Sequence, residues 1–157
     1  MNDIFLKLTG ITGESQDATH PDEIQVHSWN WAIAQDSTMH SGSGGGAAKA
    51  TVRDLQLTHT IDRASPNLAS YCFQGRHIAQ AILTVRKAGG APIEYLKLTM
   101  SDVIITHIEP VVDDDAALEQ INLSFARIQY EYMLQNALGG SQGVVTAVID
   151  VKANQAS

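Results

Sequence analysis

A single cysteine, Cys72, leaves the chain of 157 residues without the pair that an internal disulfide needs. No apolar run approaches the roughly 20 residues of a membrane-spanning helix, so no membrane insertion by that route is expected. The opening Met-Asn-Asp-Ile-Phe-Leu-Lys-Leu has neither a basic start nor an apolar stretch of signal-peptide length. The expectation is a protein made and folded in a cytoplasm, with any export by a route that reads the folded surface. Positive charge is also scarce: 10 Lys and Arg against 17 Asp and Glu give a net charge of -7 with no basic cluster. Nucleic acid is thereby disfavoured as a partner, because its affinity rests on neutralising phosphates with Lys and Arg.

Catalytic patterns are missing as well. The six histidines, His20, His27, His40, His59, His77 and His107, stand singly, with no His-x-His and no His-Glu-x-x-His, so structural or surface roles are expected and no metal site. Lys49 and Thr51 follow a glycine run but lack the glycine directly before Lys-Ser/Thr that a phosphate loop needs, and Ser43 has Ser41 where a nucleophile elbow has glycine. Asp113-Asp-Asp115 has neither the ligand spacing nor the glycine of a calcium loop. Asp54, His59 and Asp62 invite an acid/base reading, but Asp54 and His59 lie on opposite faces of a strand by parity. Cys72, on the apolar stripe of a short helix, is expected to be a buried and inert thiol. Neither catalytic residues nor a cofactor are expected.

The pattern that is present organises the chain around one helix. At 44% hydrophobic residues and without repeat or linker, the sequence fits a single domain able to bury a core. Residues 65–75 have a start and a stop: Ser65 as cap, Pro66 in the first turn, Gly75 as the left-handed terminator. Leu68 and Cys72, with Ala69 and Phe73, recur at i and i+4 as one apolar stripe. Nearly everything else alternates as strand: Ile4–Thr9, Ile24–Ala34, Thr51–Ile61, Ile78–Arg86, Ile93–Ile108, Leu118–Gln135 and Val144–Val151. One helix between two blocks of strands makes the expected fold mainly β, a small barrel or sandwich with the helix against it.

Within the strands, parity assigns faces. Trp29, Trp31 and Ile33 share the core side of Ile24–Ala34, where either tryptophan cut to alanine would cost about 3–5 kcal/mol. The small uncharged residues Ser28, Asn30, Ala32 and Ala34 take the other side, which suits a wall that something passes or rests against. The even residues Leu96, Leu98, Met100, Ile104 and Ile108 face the core, with Pro110 and Asp113-Asp-Asp115 as an exposed loop. Ile121, Leu123 and Phe125 are odd whereas Ile128, Tyr130 and Tyr132 are even, so a bulge or bend near Ala126-Arg127 resets the pattern. Ser41-Gly-Ser-Gly-Gly-Gly46 lies in a long glycine-rich loop, Asp36–Ala48, of the kind that often contacts partners. The last residues are expected to fray.

A set of words in fixed order carries a resemblance. Phe5-Leu-Lys-Leu8, Gly13-Glu-Ser15 with Asp17 and His20, Glu23-Ile24 and Ser28-Trp29-Asn-Trp31 open it. Ala64-Ser-Pro66, Leu68, Cys72, Gly75, His77-Ile78, Lys87-Ala-Gly-Gly90, Tyr95, Met100, Asp102-Val103, Leu123-Ser-Phe125 and Tyr132 continue it over nearly the whole chain. Together they resemble the Hcp family, the haemolysin-coregulated proteins of the bacterial type VI secretion system. One departure is Ala32, where the family is expected to have glycine.

The resemblance implies a β-barrel domain over residues 1–157 that forms a homohexameric ring with a central pore. Rings stack into a tube under a spike protein, and a contractile sheath on a baseplate drives the tube out of the bacterial cytoplasm. Effector proteins ride in the pore. On this reading Ser28, Asn30 and Ala32 line the pore, and Ser41, Gly42, Ser43, Gly44, Gly45 and Gly46 form a loop reaching between subunits or rings. The chain ends at Ser157 with no appended toxin domain, so its expected task is structural and carrier-like. The residues alone also leave open a small-ligand-binding barrel with a cavity inside each subunit.

Overall fold

The computed structural model of the protein describes residues 2–36, 49–87, 93–113, 115–135 and 140–157. Its strands are β1 (Asn2–Leu8), β2 (Ile24–Asn30), β3 (Ile33–Gln35), β4 (Ala50–Val52) and β5 (Leu55–Thr60), followed by the helix α1 (Ser65–Gln74). Then come β6 (His77–Lys87), β7 (Ile93–Asp113), β8 (Ala116–Gln135), β9 (Ser141–Asp150) and β10 (Gln155–Ala156). All pairings are antiparallel, and β1, β2, β5, β8, β7 and β6 close on themselves as a barrel in that order. The expected mainly-β barrel with one flanking helix is what forms. Closure leaves no open edge along the paired stretches of those strands. β9 adds to the far half of β8 and β10 to β9, while β3 and β4 make a separate ribbon.

Leucine, isoleucine and valine at every second position fill the interior. Leu6, Ile24, Leu55, Leu57, Leu83, Leu98, Met100, Ile105, Ile121 and Leu123 are almost wholly removed from water. The inward set of β7 departs from the even parity expected: Leu96, Leu98 and Met100 are buried, but Val103 and Ile105 then replace Ile104 and Ile108, which are only half-buried. β8 switches at the same place, from Ile128 to Phe125, Leu123 and Ile121. Met100 pairs with Ile128 and Val103 with Phe125, so both strands turn over together and the ladder keeps its register. Asp102, at φ 54°, absorbs the bend.

Other expectations shift for local reasons. A register slip between Val26 and Ser28 moves β2 from even to odd parity, and the strand stops at Asn30. Trp29 and Trp31 therefore pack half-buried on the rim of the core, and Ile33, on the outlying ribbon, is 46% exposed. Thr51–Ile61 is likewise broken, at Arg53-Asp54. Pro110 lies inside β7, which runs on to Asp113, where a loop was expected. The C-terminus is tied down: Ser157 N–H donates to the Val148 carbonyl at 2.8 Å and Val148 N–H to the Ser157 carbonyl at 2.7 Å.

The helix starts one residue earlier than its grammar suggests. Ser65 is its first residue, Ala64 holds the cap position without a side-chain cap bond, and Pro66 comes second, where its missing N–H still costs nothing. Ser65 Oγ instead accepts from Asp62 N–H at 3.1 Å, while Asp62 Oδ1 accepts from Ala64 N–H at 2.8 Å. The buried stripe is Ala64, Leu68, Tyr71 and Cys72, the last two partly exposed, so the cysteine is less buried than expected. Ala69 is exposed and Phe73 stands 95% exposed, one step round the helix from that stripe. Gly75 ends the helix at φ 60° as expected.

Gly13 shows how tightly the loop after β1 is set against β2. A methyl there would lie 2.6 Å from the Glu23 carbonyl oxygen and 2.8 Å from Ile24 Cα, both backbone atoms that cannot swing aside. Gly13→Ala is expected to lower stability by about 1–3 kcal/mol in urea unfolding; a change below about 0.5 kcal/mol would contradict this close approach.

Candidate functional site

On the outside of the barrel, β2, β5 and β8 lie side by side, and their register assembles two rows. Ser28 pairs with Thr58 and Thr58 with Gln120; Asn30 pairs with Gln56 and Gln56 with Asn122. Every one of these six is polar and uncharged. Their inward neighbours on β5 and β8 are Leu55, Leu57, His59, Glu119, Ile121 and Leu123, all buried. The wall is thus the reverse side of the core.

Its groups satisfy one another. Ser28 Oγ and Thr58 Oγ1 are 2.6 Å apart, Asn30 Nδ2 donates to Gln56 Oε1 at 3.4 Å, and Gln120 Nε2 donates to Asn122 Oδ1 at 3.3 Å. A surface of this kind offers weak, exchangeable hydrogen bonds and no charge to grip a passing chain. Ser28 and Asn30, singled out from the sequence, sit in the two rows. Ala32 lies beyond the end of β2, beside a groove of about 370 Å³ that also takes in Asn30, Gln56, Asn122, Arg53 and Asp54. Gln56, Thr58, Gln120 and Asn122 were missed, although strict alternation in 55–60 and 119–125 was the signal that places them with Ser28 and Asn30. Residues 41–46 lie outside the described residues; β3 and β4 flank them.

Two histidines are buried, each against carboxylates. His59 has no exposure, with Nε2 at 2.9 Å from Glu119 Oε1, and Asp62 Oδ1 lies 3.9 Å from its Nδ1. Burial pushes the Asp62 carboxyl up. Asp54 is elsewhere, accepting from Thr106 Oγ1 at 2.5 Å, so the three residues do not form one acid/base group. Among the described residues no group of three or more His, Cys, Asp or Glu is arranged to hold a metal ion.

His20 belongs to a strap over the barrel's outside. Phe5 points outward from β1 and is covered by the His20 ring, stacked at 4.5 Å, and by the Arg86 guanidinium at 5.1 Å. Arg86 also donates to both Asp17 oxygens, at 3.0 and 2.7 Å, and to Asp3 Oδ2 at 3.0 Å. These contacts hold the Asp17 carboxyl well below the usual carboxylate range. Protonated, His20 donates from Nδ1 to Glu23 Oε2 at 2.9 Å and from Nε2 to Glu94 Oε1 at 2.5 Å.

Burial works against a charged His20, but the bonds to Glu94 and Glu23 outweigh it, and the ring binds its proton more tightly than in the unfolded chain. The strap's contribution is therefore complete below the unfolded pKa of about 6.5 and is lost as pH rises through the raised folded value. Urea midpoints of native protein and His20→Gln are expected to differ most at pH 6 or below and to converge at alkaline pH. A gap that widens with pH would contradict this assignment.

Comparisons with known proteins bear on the whole chain. The family described as "Type VI secretion system effector, Hcp" matches residues 5–132. Protein hcp1 of Pseudomonas aeruginosa is 42% identical over 144 residues, 90% of this chain and 89% of that one. Hcp1 from Salmonella typhimurium superposes with a TM-score of 0.82 at 48% identity, covering 99% of each chain. A type VI secretion system effector from Yersinia pestis gives 0.79 at 39% identity, covering 95% of this chain and 100% of the other.

Proposed function

The chain belongs to the Hcp family of the type VI secretion system, and from that premise we propose that it is the structural subunit of a hexameric ring whose pore is lined by the wall of β2, β5 and β8. Hcp proteins are secreted by this system, and no helix among the described residues is long and apolar enough to cross a membrane. Rings stack into a tube that leaves the bacterial cytoplasm with the spike at its tip, propelled by sheath and baseplate, and effectors travel in the pore.

The observation that carries this reading is the chemistry of the two rows. A pore that carries different proteins needs a lining that is wetted, uncharged and free of large apolar patches, and Ser28, Thr58, Gln120, Asn30, Gln56 and Asn122 supply one. The barrel interior is taken up by packed side chains such as Leu57, Leu83, Leu98 and Met100, and the grooves open on its outside. That packing weighs against a small-ligand cavity inside each subunit. Native mass spectrometry of the purified protein tests the assembly: the reading expects the mass of six chains, and a monomer at every concentration and salt tried would overturn it.

A further inference from the structure

We propose that Arg53, with the groove beside it, is a docking subsite on the pore wall for carboxylate groups of a carried polypeptide; this rests on the reading of that wall as the pore lining. The two rows of the wall contain no ionisable side chain, and Arg53 stands at their edge in the break between β4 and β5. Its backbone is fixed, N–H donating to the Ala32 carbonyl at 2.9 Å. Its guanidinium is in none of the ion pairs formed among the described residues, although Asp54 is its neighbour in sequence. Asp54 is turned to Thr106, whose hydroxyl donates to its Oδ2 at 2.5 Å.

What surrounds Arg53 suits an anion of one shape. The groove of about 370 Å³ is lined by Asn30, Gln56 and Asn122 together with Arg53, and by Asp54, whose Oδ2 is taken up by the Thr106 hydroxyl. Guanidinium offers a planar fork of N–H donors that matches both oxygens of a carboxylate, and carboxamide N–H groups can add to it. The net charge of -7 repels acidic chains from the molecule as a whole, so a grip on an Asp, Glu or C-terminal carboxylate has to be local. One exposed contact is weak, which allows release, and its repetition around a ring multiplies retention.

The test uses fluorescein-labelled peptides of alternating glycine and glutamate, with a glycine–glutamine peptide as reference, in fluorescence anisotropy against native protein, Arg53→Gln and Arg53→Lys. Arg53→Gln is expected to weaken the acidic peptide about threefold and leave the glutamine peptide unchanged, with Arg53→Lys in between because it keeps charge without the fork. Equal binding of the acidic peptide to native protein and Arg53→Gln, or an equal loss for both peptides, would overturn the subsite. The site lies within one subunit, so the comparison can be read whatever the oligomer. Absence of a hexamer in the native protein would count against the pore reading instead.

Discussion

Leu57→Ala is expected to destabilise the protein by about 2–5 kcal/mol, lowering its melting temperature on the order of 10 °C. Leu57 is 1% exposed and lies on β5 between Gln56 and Thr58, directly behind the wall, paired with Ile121 on one side and Trp29 on the other. Truncation leaves a void bounded by closed sheet, and a barrel tied on both sides of β5 can collapse into it only partly. The neighbouring Gln56→Ala removes a half-buried, outward-facing amide with one long hydrogen bond of 3.4 Å and is expected to stay within about 0.5 kcal/mol. The pair of variants separates the two sides of one strand. Similar losses from both, read by urea unfolding, would mean that the inward and outward assignments on β5 are wrong.

In the proposed hexamer, Asn30→Arg is expected to leave the ring assembled and to reduce the retention of a basic cargo sharply. Asn30 is exposed, and its partner Gln56 can turn to water when the amide is lost, so neither fold nor core is touched. In the proposed ring the variant adds a guanidinium to each subunit's lumen face, in the groove that also takes in Arg53, and the lining becomes more positive. A small basic effector protein co-expressed with the variant is expected to co-purify at least tenfold less than with native protein, since like charges brought together cost binding. An acidic cargo is expected to be held more tightly by the same variant. Loss of the hexamer in this variant would show that the face is an interface between subunits.

The difference between what alternation revealed and what it hid follows from where strands are straight. β5 and the near half of β8 alternate without interruption, so Leu55, Leu57, Ile121 and Leu123 could be assigned to the core from sequence. The parity change at Phe125 and Ile128 was legible because the apolar residues themselves change step. Its counterpart on β7 was not, because Ile104 and Ile108 continue the even pattern while Val103 and Ile105 are the ones buried. No single strand shows that two neighbours turn over together at Asp102. The slip in β2 was hidden for a similar reason: Val26, His27 and Ser28 carry no glycine or proline to mark it.

The wall was half legible. Ser28 and Asn30 stood out because small polar residues alternate with tryptophan, whereas Gln56, Thr58, Gln120 and Asn122 acquire meaning only when pairing brings three strands into register. Structural histidines were expected, but that His20 and His59 are the buried ones was not legible, since their partners Glu94 and Glu119 lie far along the chain. Phe73 misled: its spacing from Ala69 looked like a stripe, and the stripe that packs is Ala64, Leu68, Tyr71 and Cys72.

Electron cryomicroscopy of the purified protein, carried to a map in which β2, β5 and β8 can be traced, tests the central claim most directly. The account predicts six-fold rings with Ser28, Asn30, Gln56, Thr58, Gln120 and Asn122 facing an open lumen. Rings that turn these residues outward or bury them between subunits would contradict it, as would particles of single chains with no ring.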